Sequence, residues 1–217
     1  MSILTSEAVQ WAIDYLTRQA SVRIVNHYNV VQTPYSQVHK IETIQDVFYL
    51  KQTPRILFLE AKILAFLHEQ GCQNIPEFVA ENEMLHCFLM RSCGDVSLRH
   101  LFNGETDIVL MSQGILHYTK IQRTMEPTIS ELINIGALDW RLPQFTSCYE
   151  NLLQQKSLLL SDGLNQNEID NLVRLIPLCA TLCDELSQHP IPATINHCDF
   201  HENNMIIDKK NWGYFYY

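Results

Sequence analysis

The spacing of apolar residues changes from a helical to a strand-like pattern soon after Leu16. Apolar side chains between Ser6 and Leu16 recur at intervals of three and four residues, which predicts an amphipathic helix with Ser6 as its N-cap. The residues that follow are rich in β-branched and aromatic side chains, a composition typical of short antiparallel strands. Four such segments are Val22–Val25, Tyr28–Val31, Val38–Thr43 and Val47–Lys51.

A long amphipathic helix is predicted over Arg55–Gln70, between Pro54 and the terminating Gly71. Glu60 falls on the apolar side of this helix, and a carboxylate on a buried face is costly unless a cation or hydrogen-bond donors pair with it. Lys51, at the end of the preceding strand, is the nearest candidate partner. The apolar residues on that side are Ile56, Ile63, Leu64 and Leu67.

The rest of the chain is predicted to be mainly helical. A further strand pair is expected first, followed by a polar break over Arg91–Asp95. The predicted strands are Phe78–Glu81 and His86–Met90, and the predicted helices are 107–122, 145–160 and 167–186, the last capped by Asn165. These elements predict an α+β fold with a β-rich lobe over residues 1–93 and a helical lobe over residues 94–217.

Three polar side chains, His197, Asp199 and Asn204, lie between two apolar runs within residues 195–208. The five-residue spacing of Asp and Asn suits a tight loop between two short strands, with a carboxylate and an amide directed at one point. Protein-kinase catalytic loops use the same spacing, in which the Asp orients a hydroxyl and the Asn holds a metal ion.

Four features occur in a fixed order: a Lys at the end of a strand, a Glu on the next helix, a hinge, and a His-x-Asp-x-x-x-x-Asn loop after the helices. This order resembles the protein-kinase-like fold, and within it the aminoglycoside phosphotransferase and choline-kinase-like family. The closest local match is residues 197–204, His-Cys-Asp-Phe-His-Glu-Asn-Asn, which looks like the family's His-Gly-Asp-x-His-x-x-Asn. The resemblance covers roughly residues 20 to 208.

The resemblance implies a nucleotide site in the β-rich lobe. Lys51 would contact the α- and β-phosphates of ATP, and Glu60 would hold its ammonium in place. Met90, Ser92 and Cys93 belong to the hinge that would present backbone groups to the adenine edge.

It also implies a catalytic loop in the helical lobe. Asp199 would orient or deprotonate the attacking hydroxyl, and His197 would brace the loop by hydrogen bonds. Asn204 would give an oxygen to Mg²⁺, a hard ion that prefers oxygen ligands. The implied activity is ATP-dependent phosphoryl transfer to the hydroxyl of an aminoglycoside-like, choline-like or sugar-like small molecule.

The chain departs from the family pattern in three places. The loop Thr33–Ser36 contains no glycine, and Cys198 replaces the usual Gly. The family places a further metal-anchoring Asp ten or more residues after the Asn, whereas the acid found here is Asp208, in an expected turn at Asp208–Asn211. The aromatic end, Trp212–Tyr217, contains no acid, and we therefore expect a C-terminally truncated kinase fold.

Two alternatives remain open on these residues. One is a non-catalytic, pseudokinase-like binding module or remnant, which the missing Asp favours. The other is a metal-dependent hydrolase, since His197, Asp199 and His201 alternate and would share one face of a strand, where they could hold Zn²⁺.

The composition of the chain limits the classes of binding partner and indicates a cellular compartment. The chain has 217 residues, 47% of them hydrophobic, and a net charge of −9, which argues against nucleic acid or an anionic membrane as a partner held by a basic surface. It shows neither a signal-peptide pattern nor an apolar span long enough to cross a bilayer. Seven cysteines without a CxxC pair indicate a reduced, cytoplasmic protein, whose oligomeric state stays open.

Overall fold

The computed structural model describes residues 6–19, 21–94, 96–102, 104–208 and 213–216. It is an α+β structure, as predicted, that begins with helix α1 (Glu7–Arg18), capped by the Ser6 side chain. An antiparallel five-stranded sheet follows, in the order β1-β2-β3-β5-β4. Its strands are β1 (Ile24–Gln32), β2 (Gln37–Thr43), β3 (Val47–Gln52), β4 (Phe78–Asn82) and β5 (Cys87–Arg91).

The first two predicted strands form a single strand, β1, because the polar residues between them pair directly with β2: Asn26 lies opposite Glu42, and His27 opposite Ile41. The prediction of two strands was wrong at this point. Between β3 and β4, a 3₁₀ turn at Arg55–Leu57 leads into helix α2 (Leu59–Glu69).

The two faces of the five-stranded sheet pack against different helices, α1 and α2. On one face Ile41, Phe48 and Leu50 pack with the buried residues of α1. On the other face Phe88 and Met90 of β5 pack against Phe58 and Ala61 at the start of α2. Because residues two apart on a strand share a face, Tyr49 and Lys51 of β3 lie on this second face with Phe88 and Met90, their partners across the ladder.

A three-stranded antiparallel sheet, β6-β7-β8, contains the strand that follows the Asp-Asn loop. Residues 190–204 contain no strand, so the predicted first strand of the loop is absent there. Hydrogen bonds from the side chains of Tyr118 and Gln122 to Ile195 O hold this backbone instead. Sequence patterns also missed a short helix, α5. The strands of this sheet and the helices between β6 and β7 in the same part of the fold are β6 (Val96–Ser97), α3 (Leu98–Phe102), α4 (Ile108–Met125), α5 (Ile129–Ile135), β7 (Met205–Asp208) and β8 (Gly213–Tyr216).

The described residues form two compact units, one up to Gly136 and again from Thr194 onward, the other over Ala137–Ala193. The second unit contains four helices where two long ones were predicted. Gln155, at ψ 53°, interrupts the first, and Pro177 starts a new helix after Leu175. The helices are α6 (Leu142–Gln154), α7 (Lys156–Ser161), α8 (Gln166–Arg174) and α9 (Ile176–Ser187).

The predicted cap at Asn165 is confirmed, and Glu168 completes a capping box with it. A lobe boundary between residues 93 and 94 stays a prediction. Among the described residues, no helix combines the length and the apolar character needed to cross a bilayer.

Candidate functional site

Lys51 and Glu60 form an ion pair between β3 and α2, with 2.6 Å between Nζ and Oε1. The predicted partnership is therefore confirmed, but the reason given for it was wrong. The Glu60 side chain is 41% exposed and Ile56 is 86% exposed, so the apolar side of the predicted helix is not continuously buried. The 3₁₀ turn at Arg55–Leu57 changes the helical phase before Leu59, and Glu60 lies in the first turn of α2.

The face of the sheet that carries Lys51 continues into a polar and aromatic cluster that sequence patterns did not single out. Lys40 lies opposite Tyr49 on one side and Tyr28 on the other, and its Nζ is 2.9 Å from Glu42. The Lys40 ammonium also lies 5.7 Å from the centre of the Tyr28 ring. The hydrogen bond to Glu42, followed by one to Tyr28, raises the pKa of Lys40 well above its ordinary range.

The hinge after β5 is held by one hydrogen bond to β3 and one within the hinge itself. The Ser92 N–H donates to Val47 O at 2.8 Å, and its hydroxyl donates to Gly94 O at 2.9 Å. Met90 is 2% exposed within the core beneath α2, and Cys93 is 7% exposed. The side chains of Met90 and Cys93 are thus buried, and adenine contact by hinge backbone groups stays a prediction.

The loop before β7 brings Asp199, His201 and Asn204 together. The Asn204 amide donates to both the main-chain oxygen and Oδ2 of Asp199, each at 2.9 Å. His201 Nδ1 accepts the Asn203 N–H, so the ring proton belongs on Nε2, which lies 3.2 Å from Asp199 Oδ1. Both carboxylate oxygens of Asp199 are therefore held, while 75% of its side chain stays exposed.

His197 contacts the backbone of Asp199 rather than its carboxylate. Its Nδ1 accepts the Asp199 N–H at 3.2 Å, and its own N–H donates to the Tyr118 hydroxyl of α4. The bracing contacts expected of His197 are present. Tyr118 was missed by the sequence analysis, because it is 79 residues from His197 along the chain.

No protein-family model and no curated protein sequence matches this chain. Solved structures match along almost its whole length. The streptomycin–ATP ternary complex of APH(2")-IIa has a TM-score of 0.60 at 14% identity, covering 98% of this chain and 70% of that one. Plasmodium vivax ethanolamine kinase gives 0.61 at 12%, covering 100% and 64%, and macrolide 2'-phosphotransferase type I gives 0.58 at 11%, covering 98% and 71%.

The chain has the fold of these small-molecule kinases. It spans 64% to 71% of the length of the three proteins. Within this kinase fold, Lys51, Glu60, the hinge and the Asp199 loop all belong to the same compact unit. The fold was predicted correctly, whereas the roles of the individual site residues stay predictions.

The turn between β1 and β2 is held by hydrogen bonds between its own backbone and the Thr33 side chain. Thr33 Oγ1 accepts the N–H groups of Tyr35 and Ser36, at 3.2 and 3.0 Å. These two donors are therefore engaged within the turn, consistent with the lack of glycine there.

The hydrolase alternative finds no support in the part of the chain that the structure describes. His197, Asp199 and His201 are all described, yet no group of three His, Cys, Asp or Glu side chains is arranged there to hold a metal ion. His197 Nδ1 instead accepts a backbone N–H. The turn predicted at Asp208–Asn211 includes residues 209–211, and it lies, like Trp212 and Tyr217, outside the described residues.

Proposed function

We propose that this protein is a nucleotide-dependent phosphotransferase that transfers a phosphoryl group to the hydroxyl of a small molecule, with ATP as the donor. One observation carries the proposal: a strand-to-helix Lys51–Glu60 ion pair occurs in the same compact unit as an Asp199–Asn204 loop, within a small-molecule kinase fold. Phosphoryl transfer requires mainly positioning and charge stabilisation, and these four side chains supply both.

Lys51 is the proposed phosphate contact. Its ammonium is fixed by Glu60 at 2.6 Å but keeps 21% of its side chain exposed. An ammonium has three donors, so one bond to Glu60 leaves others to bind phosphate oxygens.

Asp199 is the proposed catalytic residue. His201 and Asn204 each donate to one of its carboxylate oxygens, which fixes the orientation of the group. Each oxygen retains a further lone pair, so the exposed carboxylate can still accept the proton of a substrate hydroxyl.

Asn204 is the proposed metal ligand. Its amide nitrogen donates to two oxygen atoms of Asp199, which leaves the amide oxygen for a cation. A hard oxygen donor fits Mg²⁺, which commonly takes few protein ligands and completes its shell with phosphates and water. When bound, Mg²⁺ would neutralise charge on the phosphates.

The acceptor is proposed to be a cationic, hydroxyl-bearing small molecule. Structurally similar proteins include one solved with streptomycin and one named an ethanolamine kinase. The net charge of −9 would favour a cation over an anion in diffusional encounter. Aminoglycoside-like, choline-like and sugar-like acceptors are therefore the classes to test, in a protein we place in the cytoplasm.

The test is transfer of the γ-phosphoryl group of ATP, with Mg²⁺, to a panel of streptomycin, kanamycin, ethanolamine, choline and an amino sugar, followed by mass spectrometry. We expect phosphorylation of at least one acceptor by the wild type and a loss of at least about 100-fold with Asp199→Ala. Equal turnover by the variant would remove Asp199 from the mechanism.

A second candidate is a non-catalytic nucleotide-binding module. It is favoured because the described residues contain no group of three His, Cys, Asp or Glu side chains that could hold a metal ion beside the proposed ligand Asn204. Binding of ATP without transfer to any acceptor in the same panel would select this function over the phosphotransferase.

A further inference from the structure

Tyr118 of α4 holds the backbone that precedes Asp199. Its hydroxyl accepts the His197 N–H and donates to Ile195 O at 3.3 Å. Gln122, one helical turn later, donates to the same Ile195 oxygen at 3.2 Å. Burial raises the pKa of Tyr118, so its hydroxyl stays protonated and can donate and accept at once.

The ring of Tyr118 holds the residue that follows Asp199. It stacks on Phe200 with 4.4 Å between ring centres and 26° between planes. The His197 ring meets it edge-on, with 6.4 Å between centres. Tyr118 is 9% exposed, and it therefore contacts the loop on both sides of Asp199 from within the core.

The link to the carboxylate passes through His197. Its Nδ1 accepts the Asp199 N–H, so the neutral ring carries its proton on Nε2. Moving the His197 backbone would shift this acceptor, and with it the amide that sets the direction of Asp199. The Asp199 side chain then makes its bonds to His201 and Asn204.

We propose that Tyr118 is a positioning residue, whose hydroxyl sets the orientation of Asp199 through the His197 backbone and ring. This inference rests on the proposed function for its catalytic meaning. The contacts were not foreseeable from motif spacing, because Tyr118 lies in a helix far from the loop in sequence. Its effect should be on the chemical step, since its hydroxyl and ring contact the loop on either side of Asp199.

The test is Tyr118→Phe, which keeps the ring stacked on Phe200 and removes the hydroxyl. Tyr149→Phe is the matched control, since the Tyr149 hydroxyl donates to a backbone carbonyl, Leu172 O, at 2.9 Å in the other compact unit. Two readouts need no turnover: the ¹⁵N shifts of the His197 ring and the amide hydrogen exchange of His197 and Asp199.

In Tyr118→Phe we expect exchange at both amides to accelerate about tenfold, the effect of losing one hydrogen bond. The His197 ring should move from the Nε2–H form toward a mixture of tautomers. Tyr149→Phe should leave these signals unchanged and should melt at a lower temperature than the wild type, because it loses the bond to Leu172 O. Wild-type signals in Tyr118→Phe would overturn the positioning role, whether or not the protein binds nucleotide.

Kinetics with an acceptor identified by the transfer panel give a further readout. Tyr118→Phe should lower kcat about tenfold with KM for the nucleotide unchanged. A raised KM with unchanged kcat would overturn the role, because it would mark a contribution to binding. Failure of the proposed function is separate: it would appear in the wild type as absent nucleotide binding, or as absent transfer to every acceptor of the panel.

Discussion

Lys51 Nζ lies 2.6 Å from Glu60 Oε1, and this ion pair joins the end of β3 to the first turn of α2. Both side chains are partly exposed, and ion pairs of this kind contribute little to stability. The pair is therefore better explained by what it holds in place, an ammonium on the sheet face opposite α1, than by the stability it adds.

Replacing Lys51 separates these two explanations. We expect Lys51→Met to weaken ATP binding at least about tenfold, through loss of a charge-assisted phosphate contact, with little change in melting temperature. Lys62→Met is a matched control, since Lys62 on α2 pairs with Glu83 at 3.1 Å in an exposed position. Calorimetric titration checks the result, and equal weakening by both variants would argue against a phosphate site at Lys51.

Replacing His201 tests whether catalysis requires the Asp199 carboxylate to be held in one orientation. His201→Ala removes the donor to Asp199 Oδ1, so the carboxylate gains freedom to rotate. We expect kcat for transfer to fall about tenfold while KM for the nucleotide is unchanged, as for the loss of one charge-assisted hydrogen bond. His100→Ala, at an exposed position on α3, is the control; unchanged kcat in His201→Ala would show that Asn204 alone orients Asp199.

The close packing of the hinge against β7 requires a glycine at position 94. A Cβ at this position would lie 2.6 Å from Ile207 O and 2.8 Å from Ile206 Cγ2, so the strand after Asn204 would have to move. We expect Gly94→Ala to lower the free energy of unfolding by about 1–3 kcal/mol and to lower transfer activity as well.

Gly71→Ala provides the comparison for this substitution. Gly71 has a φ of +73° and nothing within 4 Å of its added Cβ, so its cost of about 1–2 kcal/mol should be purely conformational. It should leave transfer activity unchanged. Denaturant unfolding and the transfer assay distinguish the two, and a Gly94→Ala protein with wild-type stability would contradict the close approach.

His39 should make stability depend on pH. Burial, and then the neighbouring His27, lower the pKa of His39 below its ordinary value of 6.5. The unfolded chain then binds this proton at a higher pH than the folded chain, so stability falls as pH drops from about 6.5 toward the folded pKa. Denaturation midpoints across this range should vary less in His39→Gln than in the wild type or in His100→Gln; parallel curves for all three would contradict this assignment.

Parts of the site that depend on short sequence separations were predictable. Lys51 and Glu60 are nine residues apart on consecutive elements, and the contacts among Asp199, His201 and Asn204 lie within one loop. Motif order was sufficient to indicate both groups and the fold that contains them.

Contacts between distant segments were not predictable in the same way. The bond from His197 to Tyr118 spans 79 residues, and the grouping of Tyr28, Lys40 and Tyr49 depends on strand register. A polar residue on the buried side of α4 was the available signal for Tyr118, which is 9% exposed. The helices of the second unit were predicted too long because apolar periodicity continues through Gln155 and Leu175, where one helix ends and the next begins.

The proposed nucleotide and metal site is tested most directly by ATP binding, measured by calorimetry with and without Mg²⁺ in the wild type, Asn204→Ala and Asn203→Ala. Asn203 is the control because it is adjacent and exposed, and its contribution to the loop is a backbone N–H to His201. A metal site at Asn204 predicts that Mg²⁺ tightens ATP binding at least about tenfold in the wild type and Asn203→Ala, and much less in Asn204→Ala. ATP binding that is absent from the wild type, or equally dependent on Mg²⁺ in all three proteins, would contradict it.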